Sequence, residues 1–535
     1  MKTEQVHTLI LGAGTSGLAA GYLLVKAGIK PVVLEKDSVP GGLFRSIHRG
    51  DFIVDIGRKE LYNRIAKVDA FWSELLGNDY REYAHRGGIL FNGHILDMSP
   101  AFRGFRRGMP MSMLLGCGLD FLWSRAKPGK PVPQNVEEYF YQKRGPQLTR
   151  IAAQGFQEKL NGKKWADIPL TNNYSNGEDA SFLSTVKSLA TRLVSTKEVN
   201  TYKGIWRHPA KGTGQICEKL AEEILRSGAT IHYKAQVTEM ACIPDDRRPT
   251  TEDRNAPSAL RPPSSVLRTQ RIDTVTAQIG SETICFAPQH VISSIPPGLL
   301  KRFLYASSPL TSDLRPLTSL QAGGSTAPSS VISPQSSVLG PPSSGSSAPR
   351  RTVILIYLFL NEKPRFPHAW LQVTCPSTRI GRITNYAAFS PDMVPKEKSC
   401  LCCEMYCFGT DQLLELDDKS IANLAIQDCA KSGLLNPSNC VDHLVLRLPG
   451  ADASQNRDNW MSPSRLKLLA ELEQFKNLYY VNRTETDIAT LAGMDAAEAI
   501  LSGDRSHFDR RIDPAELGIR SESKAFSFDL PVSVE

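Results

Sequence analysis

The feature that most constrains this chain lies in its first thirty-five residues. Val6–Leu11 (VHTLIL) is a short β-rich run, and Gly12-Ala13-Gly14-Thr15-Ser16-Gly17 follows it at once. Leu18–Ala27 then shows a helical pattern, with Leu18, Ala19, Tyr22, Leu23 and Val25 apolar. Gly28 offers a stop, and Ile29–Leu34 is a second apolar run that ends at Glu35. Strand, glycine turn, helix, strand and acid in that order is the context in which G-x-G-x-x-G signals a dinucleotide site. Gly12 permits the tight turn, Gly14 lets a pyrophosphate approach the backbone, and Gly17 lets the helix pack closely on the strand. The free N–H groups and the dipole at the helix start then face the pyrophosphate. Glu35 is placed to accept hydrogen bonds from a ribose, and its charge disfavours the 2′-phosphate of NADP.

A second glycine pair follows the acid in Pro40-Gly41-Gly42-Leu43-Phe44-Arg45-Ser46, and then comes Phe52-Ile53-Val54-Asp55-Ile56-Gly57. With these segments the chain resembles the FAD-dependent amine oxidase superfamily, and within it the protoporphyrinogen-oxidase-like proteins and the relatives of UDP-galactopyranose mutase. The resemblance recurs in order along the chain, at Phe71–Gly77, Gly88–Asp97, Lys159–Gly162, Arg207–Gly214, Val291–Leu300, Arg382–Pro391 and Asn482–Ile500. It implies an α/β fold, α+β overall: a discontinuous Rossmann-type FAD-binding domain with an inserted mixed substrate domain. The FAD-binding domain is expected at 1–70, 205–300 and 440–503, and the substrate domain at 71–204 and 301–439. The implied FAD contacts are Gly12, Ala13, Gly14, Thr15, Ser16, Gly17, Glu35, Lys36, Gly41, Gly42, Leu43, Gly57, Arg58, Val237, Asp487 and Ile488. Thr486 or Asp487 is expected to cap the helix whose positive end points at the flavin.

The chain departs from the family at two places. A glycine and a histidine are usual after Gly57, where this chain has Arg58 and Lys59. The glycine–arginine pair expected near the end reads Asn482-Arg483. Arg58, Lys59, His208 and Arg382 are the candidate catalytic or substrate-binding side chains; Asn385 and Trp206 are weaker ones.

The resemblance implies an FAD-dependent oxidoreductase that transfers hydride from a small-molecule substrate to the flavin. The alternatives are a mutase-like isomerase acting on a nucleotide sugar and a flavin-binding protein without turnover. Sixty-three Lys and Arg against 55 Asp and Glu give a net charge of +8, which suits an acidic substrate or an anionic membrane surface. The charge is too weak and dispersed for nucleic acid, which is not expected as a partner.

Phe102–Lys130 brackets the apolar stretch MPMSMLLGCGLDFLW with Arg103, Arg106, Arg107, Arg125, Lys127 and Lys130. It reads as a helix buried in the substrate domain or, as the alternative, one lying in a membrane interface. Cys400, Cys402, Cys403 and Cys407 lack the paired spacing of a zinc site and alternate along a strand, so no metal is expected. Eleven cysteines do not make a disulfide scaffold, and the polar start runs straight into a strand. The expected location is the cytoplasm, with peripheral contact at the inner face of the membrane as the further option. The Pro- and Ser-rich stretches 244–268 and 321–350 read as disordered insertions, and 504–535 as a mobile tail.

Overall fold

The computed structural model describes residues 3–59, 61, 65–83, 86–97, 108–126, 131–170, 206–245, 269–305, 351–449, 467, 470–483 and 485–509. The stretches expected as insertions (from residue 246 for the first) and the tail from residue 510 lie outside them.

Two seven-stranded sheets organise these residues. The first runs Ala235–Pro244, Gln270–Ile279, Glu282–Ser293, Thr3–Leu11, Val32–Leu34, Thr230–His232, with Leu478–Tyr480 beside the end of Glu282–Ser293. Thr3–Leu11 is parallel to both its neighbours, and Thr230–His232 is parallel to Val32–Leu34. This is the mixed α/β, Rossmann-type architecture that the opening motif predicts.

Helices α1 (Thr15–Lys26), α2 (Ala66–Leu76), α4 (Gly214–Arg226) and α5 (Thr486–Ser502) share one core with this sheet. The predicted stripe Ile216, Leu220 and Ile224 is fully buried there. Gly28, at φ +84°, ends α1, with Ile29 N–H donating to Leu24 O at 2.9 Å.

The second sheet runs Cys440–Pro449, Arg351–Leu360, Ser399–Phe408, Ile380–Asn385, Trp370–Val373, Gly87–Phe91, His94–Asp97. Cys400 and Cys402 pack on one face of it and Cys403 and Cys407 on the other, as strand alternation requires.

Three boundaries differ from expectation. Cys440–Pro449 pairs with Arg351–Leu360 and so belongs to the second sheet, not to the dinucleotide domain. Phe71, Trp72 and Leu76 of α2, expected beyond the first domain, pack in its core. The run Thr230–Met240 is two strands. Lys234, at φ +54°, turns the chain from the parallel edge into the antiparallel hairpin that joins 235–244 to 270–279.

Phe52–Asp55 forms a two-stranded sheet with Ser46–Arg49, and the turn that follows it, Asp55–Gly57, packs on the second sheet. Tyr357 from the second sheet donates its hydroxyl to Asp55 O at 2.7 Å and accepts from Gly57 N–H at 3.0 Å. The Tyr386 hydroxyl lies 2.7 Å from Asp55 O and 3.0 Å from Gly57 O. Helix α3 (Met111–Ala126) buries Met109 and Cys117 at its start and middle against Ile89, Leu96 and Ile151. Its opposite side is exposed, so the burial expected for this segment holds on one face only.

Candidate dinucleotide site

The three glycines of the opening turn do three different jobs. Gly12 adopts φ +104°, closed to other residues at low cost, and a Cβ there would overlap Ser294 Oγ. A Cβ on Gly17 would overlap Gly12 O and meet Ile10 at 3.0 Å, so its absence sets the approach of α1 to the first strand. A Cβ on Gly14 meets nothing within 4 Å. Its backbone is ordinary (φ −78°, ψ 176°), so glycine here keeps a space clear without relieving strain.

Gly14 is the N-cap of α1 and supplies no side chain to the first N–H groups of the helix. Beside it α5 also starts without a side-chain cap, and Thr15 Oγ1 lies 2.9 Å from Thr490 Oγ1. A Cβ on Gly493 would overlap Ser16 O, so the two helices touch backbone to backbone. The positive start of α1, without a side-chain cap, therefore faces open space beside α5, which is an electrostatic and hydrogen-bonding match for phosphate.

The wall opposite is Glu35, 5% exposed. Its Oε2 accepts from Ala13 N–H at 2.7 Å and its Oε1 from Asp37 N–H at 2.9 Å. Each oxygen keeps a lone pair for a ribose hydroxyl. Burial raises this carboxyl above its ordinary value, against the pull of the two backbone bonds. Gly41, at φ +107°, donates to Ala13 O at 2.8 Å, and Arg45 closes the loop on Asp37 at 2.6 Å. Gly42 follows at φ +55° with open space beside it; Leu43 is 41% exposed and Lys36 is exposed. Val237 is buried in the hairpin strand that begins with Ala235 N–H donating to Glu35 O. An open cradle, an uncapped helix start and a buried acid fit the adenine dinucleotide that the sequence implies.

The expected cap of α5 is corrected. Glu485 is the N-cap residue, Thr486 and Asp487 begin the helix, and buried Asp487 accepts from Ile488 N–H at 3.0 Å. The carboxylate is turned into its own first turn and so does not cap the helix.

Beyond the cradle, Gly57 takes φ +70°, and a Cβ there would lie 3.5 Å from Leu355 and 3.8 Å from Glu404. The Arg58 guanidinium stacks over Trp370 at 4.5 Å, and the Lys59 amine lies 5.5 Å from the Phe44 ring. Burial lowers the Lys59 pKa, while the charges of Asp55 and Glu404 oppose the shift. Arg382 is paired with buried Glu404 at 3.2 Å, and Tyr406 donates to the same carboxylate at 2.9 Å. Arg382 is thus committed inside the fold instead of being offered to a substrate.

His208 is likewise fully buried, 3.5 Å from Asp55 Oδ2 and edge-on to Phe389. Asp55 Oδ1 also accepts from Ser46 Oγ at 2.6 Å and Thr213 N–H at 3.0 Å, so the cluster braces the strand leading to Gly57. Asn385, also buried, donates to Phe366 O at 3.0 Å and does not present its amide as an anion site. The side chain of Trp206 lies outside the described residues. Tyr357, Tyr386 and Glu404 were missed by sequence reasoning. Their only signal was a polar atom in an otherwise apolar strand or helix start.

A family model for the NAD(P)-binding Rossmann-like domain matches residues 10–68. The chain is similar to prolycopene isomerase 2, chloroplastic, of an Oncidium hybrid cultivar, 22% identical over 263 residues. That match covers 45% of this chain and 44% of the relative, so it spans less than half the relative's length. In fold the chain is similar to reduced UDP-galactopyranose mutase, at TM-score 0.63 and 16% identity over 96% of this chain and 99% of that one. A protoporphyrinogen-oxidase-like protein from Exiguobacterium sp. 255-15 gives TM-score 0.54 and 14% identity over 94% and 100%. Fold and cradle together define a Rossmann-type dinucleotide-binding chain. More narrowly, the fold is the one shared with reduced UDP-galactopyranose mutase and the Exiguobacterium protein, the two kinds of structure that the sequence resemblance pointed to.

Proposed function

We propose that this chain is an FAD-dependent oxidoreductase acting on a small, acidic substrate. The observation that carries the reading is the open cradle over Gly14 at the uncapped start of α1, beside the Glu35 carboxylate. The N-terminal amides of α1 hold the pyrophosphate, Glu35 holds the adenosine ribose, and the Gly57–Lys59 turn flanks the isoalloxazine. When bound, FAD supplies the hydride acceptor for a substrate C–H or N–H bond.

The protein's own work is positional and electrostatic. Tyr357 and Tyr386 fix the Asp55–Gly57 backbone from the second sheet, and the Asp55–His208 cluster fixes it from below. Arg58 and Lys59 bring positive charge to the place where other family members carry glycine and histidine, which suits a carboxylate or phosphate on the substrate.

A second reading is a redox-neutral isomerisation. It is favoured by the similarity, over nearly the whole chain, to a mutase, and by the partial match to a protein named as an isomerase. Anaerobic spectroscopy separates the two. An oxidoreductase bleaches on addition of its amine, porphyrinogen or alkene substrate and recolours in air. An isomerase turns over only after dithionite reduction, with no net change in electrons. Purified protein that takes up no FAD contradicts both.

A further inference from the structure

Helix α3 is apolar all round, a pattern that normally means full burial. One side packs into the second lobe through Cys117, Met113 and Leu114. Its single acid, Asp120, turns toward the protein and accepts from Gln147 N–H at 3.0 Å. The other side carries Met111, Leu115, Leu119, Leu122 and Trp123 at 64, 61, 68, 49 and 73% exposure. The spacing of four, four, three and one places all five on one stripe. Val132, 78% exposed, follows a few residues on.

From this stripe we propose that α3 lies on an anionic lipid surface, with Trp123 and its apolar neighbours at the acyl boundary. Charge selects this occupant. Residues 101–135 hold six basic residues, Arg103, Arg106, Arg107, Arg125, Lys127 and Lys130, against Asp120 alone. That is a net +5 of the chain's +8, carried on both sides of the apolar run in the sequence. Basic residues bracketing an apolar stripe complement acidic headgroups around a hydrocarbon interior. Exposed tryptophan is suited to the interface because its ring is apolar and its N–H polar. The helix has 16 residues, and no described helix is long and apolar enough to cross a membrane, so the contact is with one leaflet.

The test is co-sedimentation of the full chain with vesicles of phosphatidylcholine alone or mixed equally with phosphatidylglycerol. Binding is expected to the mixed vesicles and to fall about tenfold or more on the neutral ones. The pair Leu119→Ser and Trp123→Ser lowers binding by about tenfold or more. Changing the six basic residues to glutamine removes the preference for the mixed vesicles. Leu119 and Trp123 are exposed, so thermal melting of that pair, measured alongside, stays unchanged. No binding, equal binding to both vesicles, or full binding by the Leu119→Ser, Trp123→Ser pair overturns the proposal. So does a dimer in sedimentation velocity that the same pair abolishes while wild type ignores vesicles, since that assigns the stripe to a second copy.

Discussion

Thr15 Oγ1 lies 2.9 Å from Thr490 Oγ1, joining the first residue of α1 to the second turn of α5, 475 positions away in the chain. The meeting depends on Gly493, where a Cβ would overlap Ser16 O. Gly493→Ala must push α5 from α1, and overpacking of this kind costs about 1–3 kcal/mol. A urea melt of the apoprotein should show that loss, and FAD affinity should fall with it, because the displaced neighbour is the first turn of α1 beside the Gly14 cradle.

Glu35 makes FAD binding dependent on pH. Burial holds its carboxyl above the ordinary 4.5, so protonation removes a ribose acceptor at a higher pH than for a free glutamate. FAD affinity should weaken as pH falls through that raised value. The apoprotein responds in the opposite sense. The folded state binds more protons than the unfolded one between 4.5 and the raised value, so apoprotein stability decreases as pH rises across that window. Glu35→Gln should lower FAD affinity about 10- to 100-fold and flatten both dependences. Titration of flavin fluorescence at several pH values measures the first, and chemical denaturation of the apoprotein the second.

Tyr357→Phe takes the hydroxyl acceptor from Gly57 N–H and removes one of two hydroxyls on Asp55 O. The expected cost is about 1–3 kcal/mol. Tyr386→Phe should cost less, since Asp55 O keeps Tyr357. The rings lie 6.3 Å apart and share an acceptor, so the double variant should lose an amount different from the sum of the singles. Equilibrium unfolding of the three variants checks this.

Lys59 should tilt the stability of the apoprotein the other way from Glu35. Its folded pKa is depressed by burial below 10.5, so between the two values the unfolded chain binds the extra proton. Stability therefore rises with pH across that interval, and burial of the charged amine costs stability below it. Lys59→Met should stabilise the apoprotein near neutral pH and remove this part of the slope. An unchanged pH profile in denaturation would contradict the assignment.

The opening motif was legible because its constraints are local. Gly12, Gly14 and Gly17 each face a demand that spacing alone encodes, and the structure shows three distinct environments for them. The stripe of α4 was legible for the same reason. The Asp55–His208–Thr213 cluster was not, because Asp55 lies more than 150 positions from the other two and the pairing leaves no periodic trace. The break at Lys234 was hidden by residues that suit a strand on both sides of it. Helix α3 was ambiguous because an apolar sequence reports a preference for leaving water and does not say whether protein or something else provides the shelter.

The most direct measurement uses Gly14→Val. A Cβ at this position meets no atom within 4 Å, and the backbone there is already extended, so the apoprotein should melt within about 1 kcal/mol of wild type. The same side chain fills the space reserved for the pyrophosphate. Flavin absorbance after FAD reconstitution and desalting should be present in wild type and absent in the variant. Equal FAD occupancy in the two proteins would contradict the account.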